Sequence, residues 1–287
     1  MRIAALIFAA LVSLAPQRTF DVGIMQVERF GSSDARPIIF IPGLACGPWV
    51  WDAQIAALAS KYDVLVVTLP GFDGRPMIGT NGLMSQAVGS IHTLIVSQHL
   101  QRPIVVGHSL GGTVAVLFGE TYPRDAANIV TVEGGYPVAP TQAQRNASVA
   151  RSTAPYERIA QDQVAATLRK NMLQYTITRK ADVDRATALA GLSDPAAIVA
   201  WMKPALSLDL TPHLSAIRVP FTAIIPFDAQ IDPYQGFKTA ADKLAAYEAW
   251  VSHAPHGKVI MIDGSRHFVM IDRPRAFEMA LESAIAR

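Results

Sequence analysis

Ile104-Val105-Val106-Gly107-His108-Ser109-Leu110-Gly111-Gly112-Thr113 is the stretch that decides how this chain folds. Three successive β-branched residues favour a buried strand. The pattern Gly-x-Ser-x-Gly follows at once, and Thr113 to Glu120 then takes up helical spacing. A turn that passes from strand to helix in so few residues forces its central residue into a strained backbone conformation, and only glycine fits close on either side. That strain lifts the Ser109 hydroxyl above the sheet and aims the N–H of the next residue at the same point. Serine is a weak nucleophile at its own pKa, so the arrangement calls for a histidine base and a carboxylate to orient it.

Working outward, short apolar runs alternate with amphipathic stretches. Met25 to Phe30, Pro37 to Ile41, Val64 to Thr68, Ile129 to Val132, Phe221 to Ile225 and Val259 to Ile262 read as strands. Trp51 to Ser60, Leu83 to His99, Ala240 to Val251 and Pro274 to Ala286 read as helices. In the second of these helices Val88, Ile91, Leu94 and Ile95 fall on one face. The alternation predicts an α/β fold with a mostly parallel sheet covered by helices on both faces. Residues 136–217 break the rhythm. They carry no clear strand, and Pro155, Pro195, Pro204 and Pro212 punctuate helical segments. Ile198, Val199, Trp201, Met202, Leu206 and Leu208 are too apolar for a solvated linker. The expectation is a helical cap over 136–217 inserted into a core built from 16–135 and 218–287.

Bulk properties narrow the function classes. The chain has 287 residues, 51% hydrophobic and 17% charged, enough for one large α/β domain and incompatible with disorder. A formal net charge of +2, with no Lys/Arg cluster, provides no nucleic-acid footprint. The single cysteine, Cys46, cannot form an internal disulfide. At the start, Arg2 precedes an apolar run from Ile3 to Ala15 that ends in Ser13-Leu14-Ala15, a small-x-small pattern. Residues 1–15 therefore read as a signal peptide and predict export to the periplasm or medium, although Pro16 fits a cleavage site poorly. The run is too short for a comfortable membrane span, so none is expected after processing.

Of the seven histidines, only His267 lies in a loop between a late strand and the final helix, where α/β folds place their chemistry. His108 sits inside the turn, and His253 and His256 flank Pro255 without a third metal ligand. The acid is Asp228, first after the strand Phe221 to Ile225, with Asp232 and Glu133 as alternatives, since all follow strand ends. A tetrahedral oxyanion needs two N–H donors. Leu110 supplies one, and Leu44, in the loop Pro42-Gly43-Leu44-Ala45-Cys46-Gly47, the other. No nucleotide motif or metal cluster points to a cofactor.

Taken together, Ile41-Pro42-Gly43-Leu44, Leu69-Pro70-Gly71-Phe72, Gly107-His108-Ser109-Leu110-Gly111-Gly112 and Ser265-Arg266-His267-Phe268 with Asp272-Arg273-Pro274 resemble the α/β-hydrolase superfamily over nearly the whole chain. Three departures stand out: Pro42 in place of the usual oxyanion-loop histidine, Arg266 in place of a small residue before the base, and Pro226-Phe227-Asp228 where the acid motif is blurred. The resemblance implies a serine hydrolase acting on small esters through Ser109, Asp228 and His267. It leaves open a lactonase, a C–C hydrolase, a cofactor-free haloperoxidase, or a non-catalytic sensor on the same fold. The serine at position 109 argues against the dehalogenases, which use aspartate there.

Overall fold

The computed structural model describes residues 15–286, so the segment read as a signal peptide lies outside the described residues up to position 14. Eight strands form one sheet: β1 (Arg18–Val22), β2 (Met25–Phe30), β3 (Arg36–Ile41), β4 (Tyr62–Thr68), β5 (Ile104–His108), β6 (Asn128–Val132), β7 (Phe221–Phe227) and β8 (Gly257–Asp263). Their order is β1-β2-β4-β3-β5-β6-β7-β8. From β4 to β8 every neighbouring pair is parallel, while β1 and β2 form an antiparallel hairpin on the β4 edge. The mostly parallel sheet matches the expectation. Strands buried on both faces need unbroken apolar runs, and β3 and β4 supply Ile38 to Ile41 and Val64 to Val67 with no measurable exposure.

Two elements differ from the sequence reading. The pattern conceals β1 because Arg18 to Phe20 are polar or half-exposed. It is an edge strand, joined to β2 through Gly23, whose φ of +55° lets the chain reverse. The strand β7 runs two residues beyond Ile225, through Pro226, to Phe227. A proline ordinarily argues against a central strand because it lacks an N–H. Here β6 pairs with β7 only as far as Ile224, so Pro226 lies past the end of that ladder. This extension brings Asp228 to the very tip of the strand.

The helices Leu83–Ser97 and Leu110–Thr121 pack together, as do Asp52–Leu58 and Pro274–Ile285. Between β6 and β7 the described chain is helical and contributes no strand to the sheet. Gln142–Thr153 begins at a capping box in which Thr141 accepts from the Gln144 N–H, and Pro195–Ser207 begins at the Asp194 cap with Pro195 in its first turn. This segment is fastened to the sheet side at definite points. The Trp201 indole donates to the Pro70 carbonyl at 3.0 Å, the Asp194 N–H donates to Gly71 O at 2.8 Å, and the Trp201 ring packs 6.3 Å from that of Phe72. Ile198, Trp201 and Met202 are buried there, which accounts for their apolar character by packing alone. No helix of the described residues is long and apolar enough to cross a membrane.

Candidate active site

Ser109 joins β5 to the helix Leu110–Thr121 with φ 53° and ψ −116°. A non-glycine residue at positive φ costs on the order of 1–3 kcal/mol and persists only where its surroundings hold it. The Ser109 N–H donates to Val132 O at 2.9 Å, and Ser109 O accepts from the Thr113 N–H at 3.1 Å. Glycines close the shell around the turn. A methyl group at Gly111 would lie 2.2 Å from Ile41 O, and one at Gly134 would lie 2.3 Å from Ser109 O. Both are backbone contacts that no side-chain rotation relieves, so the expected elbow is present. Gly134 does not stand out in the sequence, because the Glu133-Gly134-Gly135 step follows a different strand and nothing in its spacing reveals what it touches.

The loop after β3 comes next to Ser109: a methyl group at Gly43 would sit 3.2 Å from its Cβ. Leu44, half-buried, follows that glycine, and Leu110 opens the helix, whose first N–H groups have no intrahelical acceptor. Among the described residues, neither the Leu44 N–H nor the Leu110 N–H donates to a protein acceptor. The Cys46 thiol donates to Leu44 O at 3.2 Å, and burial and then the charge of Asp73 raise its pKa above the ordinary range.

His267 lies in the loop after β8. Ser265 holds that loop through a 2.9 Å bond from its hydroxyl to Ile262 O, and the Gly264 N–H donates to Phe227 O at 2.8 Å. The His108 ring stands 4.8 Å from the His267 ring, centroid to centroid, and its Nε2–H donates to the His267 carbonyl at 3.1 Å. The residue before Ser109 thus supports the loop that carries His267. Burial drives His108 well below the ordinary imidazole range, so it is neutral, and its buried Nδ1 has no partner. His267 is lowered to about 4, first by burial and then by the nearby positive charge of Lys243.

No carboxylate among the described residues is hydrogen-bonded to the His267 ring. Asp228 Oδ2 accepts from Arg266 Nε at 3.2 Å and Oδ1 from the Gln230 N–H at 2.8 Å. Asp232 is buried; Oδ1 accepts from Lys243 Nζ at 2.6 Å and Oδ2 from the Asp228 N–H at 2.7 Å. Glu133 Oε1 accepts from the same Nζ at 2.7 Å, while its Oε2 is buried without a partner. The structure therefore sets the Gly43-Leu44 loop against Ser109 and the His108 ring against the His267 loop, with no hydrogen bond between Ser109 and His267 among the described residues; it pairs Asp228 with Arg266 and ties both alternative acids to Lys243. Lys243 escaped the sequence reading, although a signal existed. With Tyr247 and Trp250 it occupies one buried stripe at spacings of four and three along its helix, an unusual place for a lysine. Arg266 also reaches Gln174 O and Ile177 O, and the Phe268 N–H donates to Thr176 O, so both neighbours of His267 are tied to the helical segment.

A strained serine elbow, an adjacent pair of free N–H donors and a histidine loop on a parallel sheet define an α/β hydrolase. A model of the alpha/beta hydrolase family matches residues 38–280, and the chain belongs to that family. Over 103 residues it is 28% identical to a protein of Escherichia coli O1:K1 named "Putative carbamate hydrolase RutD". That match covers 36% of this chain and 39% of the relative, so the chain spans well under half of the relative's length. Among solved structures, a thermophilic esterase from Thermogutta terrifontis superposes with a TM-score of 0.74 at 17% identity, covering 94% of this chain and 98% of the other. A bromoperoxidase from Bacillus anthracis gives 0.77 at 17% identity, covering 94% and 100%. At such identities the likeness is one of fold.

Proposed function

We propose that this protein is a serine hydrolase that cleaves small carboxylic esters through an acyl-enzyme. The observation that carries the reading is the backbone of Ser109, held at φ 53° beside free N–H groups and directly after His108, whose side chain bonds to the loop of His267. Among the described residues six non-glycine residues have positive φ, but Ser109 combines it with ψ −116°, outside the left-handed helical region such residues ordinarily reach, and strain of that kind clusters at functional sites. In the reaction Ser109 Oγ attacks the ester carbonyl while His267, neutral at physiological pH, takes the hydroxyl proton. The Leu110 and Leu44 N–H groups receive the oxyanion. The tetrahedral intermediate collapses, the alcohol leaves with the proton from His267, and water activated by the same imidazole releases the acid and restores Ser109.

The helical segment over 136–217 serves as the roof in this reading. Carbamates, lactones and activated C–C substrates share the same acyl chemistry, so the substrate class rests on assay. A panel of p-nitrophenyl esters of rising chain length, with a carbamate beside them, separates these. One observation favours a second reading, a non-catalytic binder: His267 lacks a carboxylate partner. A fluorophosphonate probe decides between the two. Labelling of the wild type that disappears in Ser109→Ala, with ester turnover falling on the order of 10³-fold or more, supports the hydrolase. A folded wild type that neither labels nor turns over is a binder.

A further inference from the structure

Lys243 has a side chain with 1% exposure, yet it carries a full charge within hydrogen-bond distance of two carboxylates from two other elements. Burial works against the ammonium, but the charge of Glu133 and the bonds to Asp232 and Glu133 outweigh it and raise the pKa of Lys243. Glu133 begins directly after Val132, whose carbonyl accepts the Ser109 N–H, and precedes Gly134, which lies against Ser109 O. It is itself held at φ 45°, a conformation that a glutamate does not adopt unaided. Asp232 closes the turn at the tip of β7, since its N–H donates to Asp228 O at 3.0 Å and its carboxylate accepts the Asp228 N–H. Lys243 is the side chain that joins these two segments.

We propose that Lys243 is a positioning residue for the serine–histidine pair: it locks the end of β6, on which the nucleophile's turn rests, to the turn after β7, and fixes where the two carboxylates of those segments stand relative to the base. The proposal rests on the hydrolase reading above. The titratable and charged groups around this lock come from several elements. They are Glu133 after β6 and Tyr136 beyond it, Asp232 after β7 with Asp228 bonded to it and Arg266 in turn on Asp228, Tyr247 on Lys243's own helix, and His267, which feels the charge of Lys243. Two carboxylates share one ammonium, so loss of the cation leaves a negative site whose nearest proton acceptor in the catalytic loop is the imidazole.

The alternative is that Lys243 only neutralises buried acids. Removing one partner of a buried charge pair is destabilising in either case, so stability alone does not separate the two. The test uses the full chain with Lys243→Met, Lys243→Arg and the double variant Lys243→Met/Glu133→Gln, which removes a buried carboxylate together with the cation. Each is measured for kcat and KM on p-nitrophenyl acetate, for the acid limb of kcat/KM, and for the His267 ring titration by NMR. Positioning predicts that Lys243→Met lowers kcat about 10²-fold with KM changed less than about threefold, the scale of a misplaced reacting group. It predicts that His267 titrates at higher pH, that Lys243→Arg recovers part of kcat, and that the double variant regains thermal stability without regaining kcat. If Lys243→Met does not fold, the double variant carries the same readout. A double variant with wild-type kcat and a wild-type His267 titration overturns the proposal. The NMR titration requires no turnover. A wild type that fails to label with fluorophosphonate therefore sinks the hydrolase reading, while Lys243 is still judged by the shift of His267.

Discussion

Gly134→Ala puts the support of the Ser109 turn to a direct test. The added methyl carbon would stand 2.3 Å from Ser109 O, 3.0 Å from Gly112 Cα and 3.0 Å from the Ser109 carbonyl carbon. An unstrained carbon–oxygen contact needs about 3.3 Å, so the two backbones must part by about 1 Å, close-packed interiors having no slack to absorb it. Overpacking of this kind costs typically about 1–3 kcal/mol, and backbone on both sides places it at the upper end. The catalytic consequence is larger, because a displacement of about 1 Å in a reacting group costs about 10²-fold in rate. Turnover of p-nitrophenyl acetate, normalised by active-site titration, reads the kinetic effect, and urea unfolding reads the stability. Gly89→Ala is the matched control. Gly89 lies in the helix Leu83–Ser97 with nothing within 4 Å of an added methyl, so it should gain about 0.5–1 kcal/mol and leave kcat alone. If Gly134→Ala folds with wild-type stability and a kcat within about threefold of normal, the turn does not rest on this glycine and the account of its strain is wrong.

Other outcomes follow from the same structure. The acid limb of kcat/KM should fall below the ordinary imidazole value of 6.5, since burial and Lys243 lower His267 to about 4; a limb at or above 6.5 refutes this. The same shift means that the unfolded chain binds the proton more readily, so stability is level above pH 6.5 and declines as pH falls from 6.5 through 4, by at most roughly 3 kcal/mol, measurable by urea titration. Trp201→Ala, which opens a cavity and frees Pro70 O, should cost about 3–5 kcal/mol in chemical denaturation. Arg266→Ala, which cuts the bonds to Asp228, Gln174 O and Ile177 O, should reduce kcat at least tenfold, read as initial rates at saturating ester; unchanged rates would show that the helical segment does not steady the base.

Much of the fold was legible because parallel strands announce themselves. Ile38 to Ile41, Val64 to Val67 and Ile104 to Val106 are buried on both faces and must be apolar throughout, so the residue type alone marks them. The elbow was legible for a related reason: glycines spaced around a serine at a strand-to-helix step are what a turn this tight requires. The edge strand β1 was not, since solvent takes one side of it and relaxes the pattern, and the tip of β7 was hidden by a proline whose exemption depends on where β6 ends. Sequence periodicity reports the burial of a residue in its own element. It carries no information on how far a neighbouring strand extends.

The acid was the hardest residue to read, and the reason is electrostatic. Asp228, Asp232 and Glu133 all follow strand ends at the same edge of the sheet, so topology ranks them equally, and distance along the loop was the only criterion left. What separates them in space is the cation each one meets. Arg266, from the loop of His267, takes Asp228, and Lys243, from a helix in between, takes the other two. A carboxylate's availability to an imidazole depends on those partners at least as much as on its place in the chain, because a charge-assisted bond to Arg or Lys competes for the same lone pairs. Neither cation could be assigned from spacing. Arg266 stood out only as a departure before His267, and Lys243 was not singled out, although it is a lysine on a buried stripe. Both anomalies have the same cause: at this edge of the sheet three carboxylates come together, and each takes a positive partner there.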